Sequence, residues 1–459
     1  MRQPRSKQAN VLATLGSILL IALLEGCAMA SSAQTPPPWW QSREVSPTIT
    51  HPSAFNPAPM TPAAIAATYD LTSLYANGLW GQGQTVVVLA AYGSPTLALD
   101  LAAFDAHYRL PPASVETLTP LGAVPAYDPN NQVMQGWADT VTSEVEAIHA
   151  LAPAAHIAVL ASPVEQAEGI SGLPQLLQMA RYAVSNHLGS VILLGFTVSE
   201  ATLATSVGHD ELAQWDAFLQ AATMQDHVTF VAPSGDDGAT DAGSEQLIPA
   251  GLLGAGSFPI STTPTTTFPA SSPWVTGVGG TTLHGSGPTA TESVWETPPG
   301  VSGGGLSRFA AEPAFQRALP VATQRLLAGR RGVPDIAANA SWGANLGVYR
   351  DGAWYVLGGT EIAAAYWSAI VTLANQQAGH ALGWINPALY HVATSADYTQ
   401  ALRDVTSGDN SYPGGPDSAQ QTQSVYVKGY PATVGWDPAT GWGTPECAKL
   451  LPRLIAASA

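Results

Sequence analysis

Three carboxylates stand where the surrounding sequence is apolar or rich in glycine: Glu144, Asp236 and Glu361. Carboxyl groups withdrawn from water change their proton affinity, which is what general acid–base catalysis requires. Grouped carboxylate oxygens are also the ligands that hard divalent cations prefer. These three residues are the candidate catalytic residues, and the elements that carry them decide whether they can meet.

Glu144 lies in a segment from Thr140 to Leu151 with helical periodicity. Val141, Val145 and Ile148 form one apolar stripe, and Glu144 falls within it, while Glu146 points nearly the opposite way. We expect Glu144 to be buried or to face a cleft. A salt-bridged surface carboxylate is the alternative interpretation.

Asp236 follows an apolar run from Val228 to Ala232, within the turn sequence Pro-Ser-Gly-Asp-Asp-Gly. Open α/β sheets bind their ligands at the carboxyl ends of buried strands, so this position favours a site. An Asx turn, which Asp and Gly form for backbone reasons alone, explains the same residues without a function.

Glu361 follows two glycines and Thr360, which can cap a helix. The helix predicted over Glu361 to Asn375 is apolar almost all round, so it is expected to run through the core. A capping carboxylate would be expected on an exposed helix, and the buried one therefore indicates a site residue. The helix dipole should lower the pKa of Glu361, leaving a shared proton on Glu144 or Asp236.

The elements that carry these residues alternate along the chain. Short apolar runs bounded by turns suit strands buried on both faces of a parallel sheet, with helices between them. This pattern predicts an α/β three-layer sandwich with a mainly parallel central sheet. The predicted strands are Thr85 to Tyr92, His156 to Ala161, Val191 to Phe196, Val228 to Ala232 and Val275 to Val278, and the predicted intervening helices include Pro174 to Asn186 and Asp210 to Gln225.

Composition excludes several classes of protein. Of the 459 residues, 46% are apolar and only 11% are charged, which excludes a disordered chain or a coiled coil. Acidic residues outnumber basic ones 33 to 16, without a basic stripe that could neutralise phosphates. Nucleic acid is therefore not an expected partner.

The N-terminus resembles an export signal. Three basic residues precede an apolar run from Val11 to Leu24 that is too short to span a bilayer, and a small-residue sequence ending at Ala30 follows. Cleavage after Ala30 predicts a secreted or periplasmic protein. Cys27 ends a sequence similar to a lipoprotein box, so lipidation is the alternative and the one expected route to a membrane.

Three regions follow from this pattern: a signal peptide over 1–30, a flexible Pro-, Ser- and Thr-rich tether over 31–60, and a folded domain over 61–459. Cleavage would leave Cys447 as the sole cysteine, so no intrachain disulfide is expected. The domain is expected to be a monomer.

Several long motifs in order resemble the sedolisin family, the serine-carboxyl peptidases with a subtilisin-like fold. The resemblance covers about Thr61 to Pro452 and implies a peptidase-family hydrolase. The motifs are GQGQTVVVLAAYGSPTLALDLAAFDAHYRLP, FPASSPWVTGVGGT, SGGGLSRF, RGVPDIAANA, WYVLGGTEIAAAYWSAIVTLANQ, DVTSGDN and GWDPATGWGTP.

The catalytic motifs depart from the family pattern. Glu361 stands where the resemblance implies the nucleophilic serine, and Thr140 and Glu144 stand where it implies the Glu and the Asp of Glu-x-x-x-Asp. The oxyanion-hole aspartate is matched by Asp236. A carboxylate offers no hydroxyl for a base to activate, so ordinary serine-type proteolysis should fail.

The resemblance also implies a C-terminal calcium loop. Its ligands would be the side chains of Asp404 and Asp437 and the backbone carbonyls of Val405, Thr433 and Gly435. Hard oxygen ligands of this kind suit Ca²⁺, and Thr433 in place of a family glycine matters little because its ligand would be a backbone atom.

Three hypotheses for function remain open from the sequence. The first is an exported, calcium-stabilised protein whose peptidase site has degenerated and is kept for binding a peptide or protein, or for scaffolding. The second is an acid hydrolase in which Glu361, Glu144 and Asp236 act on water. The third is a second metal site built from these carboxylates. Hydrogen bonding between Glu361 and Glu144, or a metal-sized gap between them, would distinguish the three.

Overall fold

The computed structural model of the chain describes residues 39–41, 46–48, 59–243, 259–297, 300–413 and 425–458. Within these residues the strands are β1 (Thr85–Ala91), β2 (Ser114–Leu118), β3 (His156–Ser162), β4 (Val191–Leu194), β5 (Val198–Ser199), β6 (Thr229–Pro233), β7 (Thr267–Phe268), β8 (Val275–His284), β9 (Thr291–Val294), β10 (Gly305–Ala311), β11 (Arg330–Val333), β12 (Ile336–Asn339), β13 (Gly347–Arg350), β14 (Ala353–Val356), β15 (Leu402–Arg403) and β16 (Thr444–Pro445). The helices are α1 (Pro62–Thr68), α2 (Thr72–Ala76), α3 (Leu97–Tyr108), α4 (Gln132–Leu151), α5 (Leu173–Ser185), α6 (Ser206–Gln225), α7 (Val321–Leu327), α8 (Thr360–Ala378), α9 (Asn386–Ala393), α10 (Tyr398–Ala401) and α11 (Cys447–Ser458).

The central sheet has the strand order β12-β8-β6-β4-β1-β3-β2, with β9 added beside β8. Every pair along this order is parallel, and only β9 runs antiparallel to its neighbour. The predicted strands and helices are all present, with ends that differ by a few residues. The predicted mainly parallel α/β sandwich is thus confirmed.

Strand β1 shows how the layers form. Val86 and Val88 belong to the apolar core that includes α4 and α8, whereas Val87 and Leu89 belong to the core that includes α5 and α6. Alternate side chains of a strand point to opposite faces, so a continuous apolar run serves both cores.

Helix α8 runs through the interior, as its composition predicts. Its residues from Ile362 to Ala374 are buried, and it packs against α4 and beneath the sheet. The indole N–H of Trp367 donates a 2.9 Å hydrogen bond to the carbonyl of Ala337 in β12. The first turn of α8 is therefore fixed relative to the sheet.

Parts of the predicted tether contact the domain. Trp39–Gln41 form a 3₁₀ turn, and the ring of Trp39 lies 5.0 Å from that of Tyr75. The backbone N–H of Met60 donates to the carbonyl of Asn345 at 2.7 Å. These residues contact the folded domain, and the tether over 31–60 stays a prediction. Most of 31–60, and the whole of the predicted signal, lies outside the described residues.

Cys447 is a free, buried thiol at the start of α11. Cys27 lies outside the described residues. Within the described ranges, no helix is long and apolar enough to cross a bilayer.

Candidate active site

The three candidate carboxylates lie on three elements that converge at the carboxyl edge of the sheet. Glu144 is on α4, Asp236 follows β6, and Glu361 is in the first turn of α8. Because α4 and α8 pack together and α8 begins beside the end of β6, the fold brings the three residues into one region.

Asp236 binds the start of α8. The backbone N–H and the hydroxyl of Thr360 donate to Asp236 Oδ1 at 2.9 and 2.8 Å. Gly359 has φ +128°, and a Cβ on it would lie 2.6 Å from Glu361 Oε2 and 3.0 Å from Asp236 Oδ2. These two oxygens thus approach the same point, which a side chain at position 359 would occupy.

Glu144 lies in the interior, behind the edge of the sheet where Asp236 and Glu361 meet. Its side chain is fully buried, and within the described residues neither carboxyl oxygen has a hydrogen-bond partner. The carboxyl lies against Gly195, where even a Cβ would collide with it. Glu144 and Glu361 are therefore neighbours that do not hydrogen bond.

A pocket of about 260 Å³ opens above Glu361. Thr140 and Trp137 of α4 line one part of it, and Gly195 and Gln166 line others. Glu144 is not among the lining residues. Glu361 and Asp236 are both partly exposed residues, and of the three candidates only Glu361 lines the pocket.

Burial raises the pKa values of all three carboxyl groups. Burial is the main cause for Glu144, whose pKa lies well above that of an ordinary glutamate, and the charge of Glu361 raises it further. The pKa of Glu361 is also raised strongly, by burial and then by Asp236, against a smaller lowering by its own backbone N–H. Burial raises the pKa of Asp236, and the two hydrogen bonds from Thr360 lower it. The lowering expected at Glu361 from the helix start is outweighed by burial and by the charge of Asp236, so the pKa of Glu361 is raised rather than lowered.

Comparisons with known proteins agree with this fold. No family model matches the chain. Kumamolisin of Bacillus sp. (strain MN-32) is 30% identical over 406 residues, which cover 87% of this chain and 64% of the relative. Sedolisin of Pseudomonas sp. (strain 101) is 28% identical over 293 residues, 62% of this chain and 44% of the relative.

A solved structure of Pseudomonas sedolisin, a serine-carboxyl proteinase complexed with two molecules of pseudo-iodotyrostatin, is also similar. It superposes with a TM-score of 0.67 at 26% identity and covers 86% of this chain and 98% of that one. The chain belongs to the sedolisin family. It spans less than two thirds of the length of the curated relatives named above.

Membership of the sedolisin family confirms the resemblance and the fold that the sequence motifs predict. The positions given to the nucleophile and to the Glu and Asp of the family pattern remain a prediction from those motifs. The structure adds that Glu361 and Thr140 face one pocket, whereas Glu144 lies behind it.

Two further carboxylates near the site are not predicted from the sequence. Glu168, in the loop after β3, accepts hydrogen bonds from the backbone N–H of Ser199 at 3.0 Å and from the hydroxyl of Thr202 at 2.8 Å. Asp241 is buried and interacts electrostatically with Glu168. Burial raises the pKa of Glu168 to about 7. Both residues follow strands at the same sheet edge as Asp236. Their position after predicted strands is the sequence feature that could have identified them.

The predicted calcium ligands lie in two neighbouring loops. Asp404 Oδ2 accepts a 3.0 Å hydrogen bond from the N–H of Gly435, and Asp437 Oδ2 accepts a 2.8 Å bond from that of Thr433. Asp404 Oδ1 is buried without a partner in the described part of the chain. Burial raises the pKa of Asp437 to about 7. An orphaned oxygen beside a second carboxylate fits a hard cation.

No metal-binding group with three or more His, Cys, Asp or Glu side chains occurs in the ranges that the structure describes. The calcium loop supplies two carboxylates, fewer than such a group needs. Glu144, Asp236 and Glu361 do not form one either, so the second-metal hypothesis has no support in the described residues.

We predict that Glu361→Gln flattens the pH dependence of the free energy of unfolding. A carboxyl with a raised native pKa stabilises the fold fully below its unfolded pKa of about 4.3, and this stabilisation is lost as the pH rises through the native value. The wild-type protein should therefore be more stable at mildly acid than at neutral pH. Glu144→Gln should act in the same direction, since burial is the main cause at both residues.

The measurement is urea unfolding at a series of pH values. Asp210→Asn, which alters an exposed carboxylate of α6, is the control and should keep the wild-type pH dependence. Identical pH dependence in the wild type and in both glutamine variants would contradict the prediction.

Proposed function

We propose that this chain is an exported sedolisin-fold protein that lacks serine peptidase activity and binds a peptide or protein segment in the pocket above Glu361. The observation that carries the proposal is Glu361 itself, which lies at the first turn of α8 and faces the pocket. The pocket lies where the sequence places the family nucleophile, and residue 361 has no hydroxyl to attack a carbonyl group.

The surroundings of Glu361 support the loss of serine chemistry. Thr140, which lines the same pocket, has a hydroxyl that cannot act as a base in the usual pH range. Within the residues that the structure describes, Glu144 has no hydrogen bond through which it could pass a proton to a neighbour. A relay needs hydrogen-bonded partners, and these side chains do not supply one.

A second candidate is an acid hydrolase in which water is the nucleophile. The approach of Glu361 Oε2 and Asp236 Oδ2 to one point favours it, because two close carboxyls can share a proton and activate water. Glu144 would serve there only as a buried neighbour, since it makes no hydrogen bond and does not line the pocket.

We predict that the purified wild-type protein does not cleave denatured protein above background at acid pH. Changing Glu361→Ser, Glu144→Asp and Thr140→Glu together restores the family residues and should yield measurable cleavage, because a hydroxyl and its bases are then present. Digestion of a peptide library, followed by mass spectrometry, measures both.

The matched control is the same triple variant with Ala in place of Ser at position 361, which should be inactive. Strong wild-type cleavage that Glu361→Ala abolishes would contradict the binding proposal and establish the carboxylate hydrolase instead.

Our proposal includes a structural calcium ion in the C-terminal loops. Asp404 and Asp437 would hold it through carboxylate oxygens, and Val405, Thr433 and Gly435 through backbone carbonyls. The ion would supply charge neutralisation to the buried Asp437 and the half-buried Asp404, which have no ion-pair partner in the described residues. It would also join two loops that are distant in sequence.

We predict that EDTA lowers the melting temperature of the wild-type protein. At a calcium concentration of a hundred times Kd, bound ion contributes about 2.7 kcal/mol to the free energy of unfolding. Asp437→Ala should lower the melting temperature in calcium and remove the effect of EDTA, whereas Asp210→Ala on α6 should leave that effect intact. An unchanged wild-type melting temperature would mean that no such ion stabilises the fold.

Export is proposed from the N-terminal sequence. We expect the recovered protein to begin at Ser31 after cleavage behind Ala30, or to carry a lipid on Cys27. The intact mass of protein expressed in a bacterial host distinguishes these forms. A full-length mass in a cytosolic fraction would contradict export.

A further inference from the structure

We propose that the pocket above Glu361 recognises a basic side chain, the guanidinium of arginine or the ammonium of lysine, in the bound peptide. This inference rests on the proposed peptide-binding function and names the class of residue that the site selects. Two observations on the described residues support it. A set of carboxyl groups has no ion-pair partner, and the buried carboxyl of Glu144 has no hydrogen bond.

Five acidic side chains lie near the C-terminal ends of the parallel strands, and we call them the carboxyl array: Glu144, Glu168, Asp236, Asp241 and Glu361. Electrostatic interactions link them in a continuous series, with Asp237 adding a further acidic neighbour. Within the described ranges, none of the five forms an ion pair with Lys, Arg or His. Glu144 and Asp241 are buried, and the other three are half-buried. Buried carboxylates are normally paired, so Glu144 and Asp241 depart from the usual pattern.

Glu144 gives independent support. It is fully buried, and neither of its oxygens accepts a hydrogen bond from the described residues. Its carboxyl is directed at Gly195, which is part of the pocket wall, and it interacts with Glu361, which lines the pocket. A cation bound at Glu361 would add the positive charge that this inner carboxyl lacks.

The shape of the pocket suits one long basic side chain. Its volume of about 260 Å³ is just below the ~300–1,000 Å³ typical of small-ligand sites. The half-buried Trp137 lines it beside Glu361. An aromatic surface covers the aliphatic stem of arginine or lysine and attracts its cationic group, while the carboxyl accepts its N–H donors.

Proton release should accompany this binding. Without a ligand, burial raises the pKa values of all five carboxyls and mutual repulsion raises most of them further, so they hold protons at a pH below those raised values. A cation stabilises the ionised form, so its binding expels a proton and its affinity increases with pH until the array is ionised. A neutral side chain of the same shape has neither effect.

The experiment is calorimetric titration of the purified protein with acetyl-Ala-Ala-Arg-Ala-Ala-amide and with the same peptide carrying citrulline. Citrulline keeps the shape of arginine and removes its charge. We expect the arginine peptide to bind about tenfold more tightly or better, a difference of about 1.4 kcal/mol. Titration in phosphate and in Tris should give different heats for the arginine peptide alone, because only its binding releases a proton.

Glu361→Gln should abolish the preference for arginine and the buffer dependence. The matched control is Glu146→Gln, which alters a buried carboxyl two residues from Glu144 that accepts a hydrogen bond from Tyr349 and is absent from the pocket lining. This variant should keep the preference. Circular dichroism establishes that each variant is folded before titration.

Equal affinity for the two peptides would overturn this inference and leave the peptide-binding function standing. Binding of neither peptide would overturn both. Retention of the arginine preference in Glu361→Gln would exclude Glu361 as the recognition group and so refute the site proposed here.

Discussion

The attachment of Asp236 to Thr360 is the interaction on which the site depends. It joins the end of a central strand to the first turn of α8, and α8 in turn packs against α4. A buried helix start has backbone N–H groups without intrahelical partners, and a carboxylate satisfies them well. Since α8 is buried and packs against α4 and the sheet, this contact helps to align Glu361 with the sheet edge and with the pocket.

A glutamate at position 361 fills the site differently from a residue of the size of serine. The longer side chain extends to the point beside Gly359 that Asp236 also approaches, and it adds a carboxyl to a region already rich in them. Charge cannot accumulate there without water or a cation. Burial and mutual repulsion raise the pKa values of these carboxyls, and this is the property on which the proposed recognition of a basic side chain depends.

Much of the fold could be predicted because buried parallel strands are continuous apolar runs, and the position of Asp236 after such a run led directly to the site. Strand β2 could not be predicted in this way, since it lies at the sheet edge, has partly exposed residues and is not a continuous apolar run. Glu146 is opposite Glu144 on α4 yet is equally buried, because the β13–β14 hairpin covers that side and Tyr349 donates a hydrogen bond to it. Such contacts join residues that are far apart in sequence, and the local periodicity of hydrophobic residues cannot predict them.

The strand order has a consequence for the way in which this chain acquires its structure. Strand β1 comes first in sequence but is central in the sheet, between β3 and β4. Until residues 191–194 have been made, one edge of this wholly apolar strand has no partner, and an unpaired apolar edge is a template for aggregation. The sheet has to assemble from distant segments, a topology associated with slow folding. Truncated products that end before β4 should therefore be insoluble, and the domain has no early point at which it can be divided.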